Sequence, residues 1–261
     1  MMPLCSILLP THSSPLAFFR AALQSARLQT VPVEVCVCND GGVEERGRIV
    51  EEMMREEGGW PIKYTWQPNG GVASALNACL EMAAADWIAW LPADDLYTAD
   101  HVEVMLKAID ADLCEISGRN PDLPIAYCSY EEGVPIPQAR WPAAQFPSRE
   151  ALFAALQQGC FINAATMVWH RSVLEAVGGW NVRIYHAQDY ANILACAERH
   201  NFLAVHHYGV RRRLHPGQMV RTLNRPEERA LKAVDMAWLK DRYGAAGGVW
   251  VPEEPKPGLP S

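Results

Sequence analysis

Trp87-Ile88-Ala89-Trp90-Leu91-Pro92-Ala93-Asp94-Asp95 is the stretch from which the fold can be read. Five apolar residues, two of them tryptophan, make a short buried strand, and two carboxylates stand where that strand must end. Adjacent acids at the carboxyl end of a central strand repel one another unless something positive lies between them and a ligand. A hard divalent cation with substrate phosphates is the common solution. In open α/β sheets the ligand crevice lies outside those carboxyl ends. The same two acids also suit a turn opening the next helix, and this stretch alone leaves both readings open.

Upstream, Cys5-Ser6-Ile7-Leu8-Leu9 is a strand that gives way to Pro10-Thr11-His12-Ser13-Ser14-Pro15. Ser14 is placed to cap a helix and Pro15 suits its first turn. That helix carries Leu16, Phe19, Leu23 and Ala26 at helical spacing. Val33 to Cys38 is a second strand, ending in Asn39-Asp40-Gly41-Gly42. Ile62 to Trp66 is a third, followed by Gln67-Pro68-Asn69-Gly70-Gly71 and a helix with Val72, Leu76, Cys79, Leu80 and Ala83 on one face. Strands alternating with helices predict right-handed crossovers and a parallel sheet. Thr11, Asp40, Asn69 and Asp94 then border one crevice, although such loops are polar in any case.

Downstream, Thr98 is expected to cap a helix reaching about Ile109, with Asp100 and Glu103 in its first turn. Ile125 to Tyr130 is a strand, and Gly133 to Pro147, with four prolines, reads as an irregular loop. A helix over Ser148 to Gln157, a strand over Ala164 to Trp169 and a helix over Arg171 to Val177 follow, the last stopping at Gly178-Gly179. Tyr185 to Tyr190 introduces a further helix with Asp189 at its amino end, where an acid caps well. Phe202 to Arg213 is strand-like, and a period of two puts Arg211, Arg213 and His215 toward one face. Three consecutive arginines also make an ordinary solvated patch. Pro226 to Tyr243 reads as an amphipathic helix with Leu231, Val234, Ala237 and Trp238 on its apolar side.

The 261 residues carry a net charge of −7, which argues against nucleic-acid binding through a broad basic surface. No run approaches membrane-spanning length and the start lacks a basic leader region, so a cytoplasmic location is expected. The eight cysteines are scattered without zinc-like spacing, as befits reduced, buried thiols. There is no internal repeat and no glycine-rich dinucleotide or P-loop fingerprint.

Seven segments, in order, resemble the inverting glycosyltransferase family 2, nucleotide-sugar enzymes of the GT-A fold. They are Leu9-Pro10-Thr11, Val37-Cys38-Asn39-Asp40-Gly41-Gly42, Asn69-Gly70-Gly71 with Ala75 and Asn77, Leu91-Pro92-Ala93-Asp94-Asp95, Gly178-Gly179-Trp180, Gln188-Asp189-Tyr190 and Arg213-Leu214-His215-Pro216-Gly217. They cover most of residues 5–219. The resemblance implies an α/β chain of GT-A fold, with a Rossmann-like, mostly parallel central sheet, helices on both faces and a mixed C-terminal half. It implies a catalytic domain over 1–224, its nucleotide-binding half about 1–97 and its acceptor half about 98–224. A helix over 225–243 would pack on that domain, and a Pro/Gly-rich tail over 244–261 would be flexible.

The same resemblance implies transfer of a sugar, with inversion, from a nucleotide-diphosphate donor, UDP first, to a hydroxyl acceptor. Pro10, Thr11, His12, Asp40, Asn69, Gly71, Asn77, Ala93, Asp94 and Arg213 would contact the nucleotide. Asp94 and His215 would hold Mn²⁺ or Mg²⁺, and Asp189 would be the general base. Gly179, Trp180 and Gln188 would meet the acceptor, which the sequence leaves open among a glycan, a lipid-linked glycan and a small molecule. Cell-surface polysaccharide synthesis is one setting for such an enzyme, and the last helix leaves room for peripheral contact with the inner face of a membrane. Three positions depart from the family's usual residues: Pro92 replaces an acid, Leu76 an arginine and Gln188 a glutamate. A nucleotide-sugar-binding protein without catalysis is the alternative, and a sugar-phosphate nucleotidyltransferase a more distant one. The latter needs a glycine-rich, arginine-bearing loop that Pro10 to Ser14 does not supply.

Overall fold

The first half alternates strand and helix, as the apolar runs dictate: β1 Cys5–Thr11, α1 Leu16–Arg27, β2 Val33–Asp40, α2 Glu45–Arg55, β3 Ile62–Gln67, α3 Val72–Met82, β4 Trp87–Trp90. There follow β5 Leu96–Tyr97, α4 His101–Ile116, β6 Ile125–Glu132, β7 Ala139–Trp141, α5 Arg149–Gln158, β8 Met167–His170, α6 Arg171–Val177, α7 Gln188–Ala197, β9 Phe202–Arg212 and α8 Pro226–Tyr243. This computed structural model describes residues 2–116, 125–218 and 226–246. Residues 247–261 of the expected flexible tail lie outside the described residues.

One sheet runs in the order β3-β2-β1-β4-β8-β6-β9-β5, with β7 paired to β6 beside that path. The strands β1 to β4 are mutually parallel, and β8 enters antiparallel to both β4 and β6. β9 is parallel to β6, so β1, β2, β3, β4, β6 and β9 all deliver their carboxyl ends to one edge. An antiparallel strand begins where its parallel neighbours end. The reversal of β8 therefore brings the segment leading into it, residues 160–166, to the same edge.

Alternation along β1 and β2 sends apolar side chains to both faces. Ile7, Leu9, Val35 and Val37 face Phe19, Val50 and Met105 of α1, α2 and α4. Leu8, Cys36 and Cys38 face Leu76, Leu156, Leu194 and Leu239 of α3, α5, α7 and α8. The two thiols share a face, and the seven described cysteines are unbridged. The sequence reading passed over α2. Its buried stripe of Arg46, Ile49, Val50 and Met53 keeps helical spacing but starts with a charge.

Four expectations are corrected. Thr98 does not cap α4, which starts at His101 and runs past Ile109 to Ile116; its hydroxyl lies toward His207 and the Gly209 carbonyl on β9. The 133–147 segment is not wholly irregular, because Ala139–Trp141 folds back onto β6. Ala164 to Thr166 is a 3-10 turn rather than strand, with the Asn163 side chain accepting from the Ala165 amide. Finally, α8 packs through Asp235, Leu239 and Tyr243, while Leu231, Val234 and Trp238 lie exposed at 45%, 67% and 38%.

Candidate active site

Two joined cavities open at the carboxyl edge of the sheet. The first, about 310 Å³, is walled by Pro10, Thr11, His12, Asp40, Asn69, Gly71, Ala93 and Asp94, together with Tyr185, Gln188 and His215. The second, about 420 Å³, is walled by Asp94, Asp95, Asn163, Gln188, Asp189, Arg212 and Lys232 among others. Trp90, Pro92, Asp94 and Gln188 belong to both walls, so they form the threshold between the two spaces. Asp94 and Asp189, 95 positions apart in the chain, thus face one cavity.

The first cavity is braced by backbone turns. Asp40 is buried, and its carboxylate accepts the Gly70 and Gly71 amides at 2.8 and 2.9 Å and the Gln67 amide at 2.7 Å. The loop after β2 lies so close to the next that a Cβ on Gly41, which has φ +72°, would meet the Asn69 nitrogen at 2.7 Å. His12 Nδ1 is 2.7 Å from the Asp40 carbonyl. Arg46 donates to Thr11 Oγ1 at 2.8 Å and to the Ser14 carbonyl, fixing the loop after β1. Only a charge on the buried stripe of α2 hinted at that brace.

Asp94 sits at the tip of the turn after β4, with its Oδ2 3.0 Å from His215 Nε2. Both side chains are partly exposed to the cavity. A carboxylate and an imidazole so placed fit one divalent ion, the nitrogen favouring Mn²⁺. No group of three or more ligating side chains occurs among the described residues, so the other positions would fall to diphosphate oxygens and water. Asp95 points inward and accepts the Arg213 amide at 3.0 Å; burial and then the neighbouring Asp94 charge push its carboxyl up to about 8.

Arg213 is placed differently from expectation. It is buried and lines neither cavity; its guanidinium donates to the carbonyls of Asp94, Phe18 and Asp95 and lies 4.2 Å from the Phe18 ring centre. Phe18 also meets His215 edge-on at 5.2 Å. Arg213 therefore clamps the Asp94 turn to the loop bearing His215, and the arginine that reaches the second cavity is Arg212, paired with Glu132 at 2.7 Å. Strand pairing ends at Arg212, so the period-of-two reading does not extend past it. Arg211 turns instead toward Glu131.

Asn77, Gly179 and Trp180 are also placed differently from expectation, since they line neither of these two cavities. The Asn77 amide donates to the Trp180 carbonyl at 2.8 Å and accepts its N–H at 2.9 Å, a staple between α3 and the turn after α6. Gly179 makes room for it, because a Cβ there would sit 2.6 Å from Asn77 Oδ1. Trp180 is buried edge-on to Trp90 and Trp169.

Asp189 is in the first turn of α7 and accepts the adjacent Tyr190 amide at 2.8 Å, and the helix has no side-chain cap. Burial raises its carboxyl above the ordinary range, while the Tyr190 amide and the Lys232 charge lower it. Gln188, with its amide assigned so that the nitrogen donates to Tyr185 and His186 carbonyls at 2.9 and 3.2 Å, holds the turn from behind. Asp235 of α8 accepts three successive amides, Tyr185 at 3.2, His186 at 2.6 and Ala187 at 3.1 Å. That buried acid and Lys232 escaped the sequence reading; an acid spaced with Leu239 on the buried helix face was the available signal.

The backbone matches S. aureus TarS 1–349 with a TM-score of 0.60 at 16% identity, over 94% of this chain and 73% of that one. It matches the mannosyltransferase PcManGT of Pyrobaculum calidifontis, solved in complex with GDP-Man and Mn²⁺, with a TM-score of 0.57 at 15% identity, over 90% and 65%. The fold is therefore that of the GT-A glycosyltransferases. The family model "Glycosyl transferase family 2" matches residues 6–177, and the chain belongs to that family of glycosyltransferases. A chondroitin synthase of Pasteurella multocida is 31% identical over 205 residues, 76% of this chain and 19% of the relative. A chondroitin synthase of Escherichia coli is 27% identical over 241 residues, 90% and 32% respectively. The chain thus spans a fifth to a third of these relatives' length. Among the described residues no helix is long and apolar enough to cross a membrane.

Proposed function

We propose that the chain transfers a sugar, with inversion, from a nucleotide diphosphate, UDP foremost, to an acceptor hydroxyl, with Asp189 as general base. The observation that carries this is the shared cavity. Asp94 with His215 stands at the threshold to the braced crevice, and Asp189 lines the same second cavity as Asp94. Thr11, His12, Asp40 and Asn69 frame the space for the nucleoside. A divalent ion, when bound by Asp94 and His215, would offset the charge that builds on the departing diphosphate. Arg213 keeps those two side chains together.

An alcohol is too weak an acid to ionise unaided, so a carboxylate within hydrogen-bond reach must take its proton as the new bond forms. A base with a raised pKa is a stronger proton acceptor than an ordinary aspartate, and burial supplies that to Asp189. Displacement from the face opposite the diphosphate inverts the anomeric centre. Melting curves with UDP, GDP and dTDP, each with Mn²⁺, test the donor: at least one raises the wild-type Tm and none raises that of Asp94→Ala. Asp189→Asn keeps the shift and lowers donor hydrolysis by roughly 10²–10⁴-fold. Equal hydrolysis by wild type and Asp189→Asn would leave a binding protein and no catalyst.

A further inference from the structure

A third cavity of about 310 Å³ opens beside the acceptor side of the cleft, between β6, β7 and residues 160–166. It shares Tyr130, Phe161 and Asn163 with the cavity that contains Asp189, so the two spaces adjoin. Four of its thirteen lining residues are aromatic. Tyr130 and Trp141 lie nearly parallel with centroids 6.2 Å apart, and Tyr127 and Phe161 add further ring surface. Tyr127 is anchored, its hydroxyl donating to the Ala144 carbonyl.

Among the described residues three donors in this wall have no protein acceptor. The Trp141 indole N–H is shielded from solvent without a partner. The hydroxyl of the half-buried Tyr130 has no hydrogen bond to a described residue. Asn163 uses its oxygen to accept the Ala165 amide at 3.1 Å, which leaves its NH₂ unengaged. Of the three, only the indole N–H is shut off from solvent, and such a group without a partner calls for an explanation, a missing ligand being one.

Aromatic faces combined with a few directed donors describe a site for a ring that is apolar on its faces and oxygen-rich on its rim. We infer that this cavity is a second sugar subsite, so that the acceptor is a glycan of at least two residues. Its terminal sugar would lie by Asp189 and the penultimate one between Tyr130, Trp141 and Phe161. The volume is at the lower end of the roughly 300–1,000 Å³ typical of ligand pockets, which suits one ring. An alkyl chain would leave all three donors unmatched. This inference rests on the acceptor assignment proposed above.

The test uses the full chain with UDP and Mn²⁺. The probes are methyl glycosides of glucose, galactose, mannose, N-acetylglucosamine, N-acetylgalactosamine and glucuronic acid, their α- and β-linked disaccharides and the octyl monosaccharides, with affinities measured by titration calorimetry. At least one disaccharide is expected to bind tenfold or more above its monosaccharide. Trp141→Ala is expected to abolish that preference, as is Ala144→Trp, which fills the cavity from an exposed position. The inference is overturned if no disaccharide exceeds its monosaccharide, if octyl glycosides bind best, or if both variants keep the preference. The UDP-induced melting shift, recorded on every variant, reports folding and the donor site separately. Its presence without a length preference defeats only the subsite, and its absence in wild type defeats the donor reading.

Discussion

Lys232 reaches the cavity from α8 and lowers the Asp189 carboxyl that burial raises. Replacing it by methionine removes the opposing charge and keeps most of the stem. The acid limb of kcat/KM for donor hydrolysis should then move to higher pH, with UDP affinity unchanged. His101 offers a second titration, away from the cleft. Buried beneath the Tyr97 ring at 4.1 Å, and close to Gly209 where a Cβ would come within 2.2 Å of Nδ1, it is pushed by burial down to about 3. An unfolded histidine takes its proton near 6.5, so between about pH 6.5 and pH 3 the unfolded chain holds more protons. Stability at this site is full above that window and falls as the pH drops through it, by up to about 1.4 kcal/mol per unit. Urea melts of wild type and His101→Gln should therefore show the variant's curve to be flatter over this range. Asp94 is legible only together with the other segments of the family pattern, because two acids ending an apolar run suit a turn as well as a ligand. Asn77, Trp180 and Arg213 are not, since an amide, an indole and a guanidinium serve packing and backbone satisfaction as readily as ligand binding.

At the scale of elements, α8 holds the loop before α7. Three amides on one buried carboxylate make Asp235 a positioning residue, with His186 Nε2 2.7 Å from Glu228 on the same helix. Asp235→Ala leaves those donors unsatisfied and should cost about 1–3 kcal/mol. In variants that remain folded, donor hydrolysis should fall while the KM for UDP-sugar stays near wild type, which steady-state kinetics would show. Strands β1 to β4 and helices α1 and α3 are readable from periodicity, because each buries a regular apolar face. The packing face of α8 is misread for a physical reason: it is chosen by hydrogen bonds to a loop, and the apolar Leu231, Val234 and Trp238 are left outside. β7 is equally hidden, as three residues between prolines carry no period.

Across the whole molecule, the cleft joins parts of the chain some two hundred positions apart. Phe18, near the start, accepts from Arg213 at 2.7 Å, and Arg213 in turn grips the turn that carries Asp94. Bound UDP with Mn²⁺ should therefore slow amide exchange both at residues 11–14 and at 213–218. Arg213→Ala should confine that protection to the first segment, as hydrogen-exchange mass spectrometry can follow. The convergence of strand ends on one edge is legible because parallel strands impose it. The insertion of β8 in the opposite sense is not, since a strand of four residues carries no direction.

That inverted strand also divides the labour of the cleft. Between the end of β6 at Glu132 and the turn at Asn163 the chain passes through α5, whose Leu152 and Leu156 are buried in the same core as Leu8 and Leu76. Because Gln157 also holds the end of α8 and the Leu156 carbonyl accepts the Tyr190 hydroxyl, this excursion is part of the core, and grafting it from a homologue would have to carry its partners on α7 and α8 along.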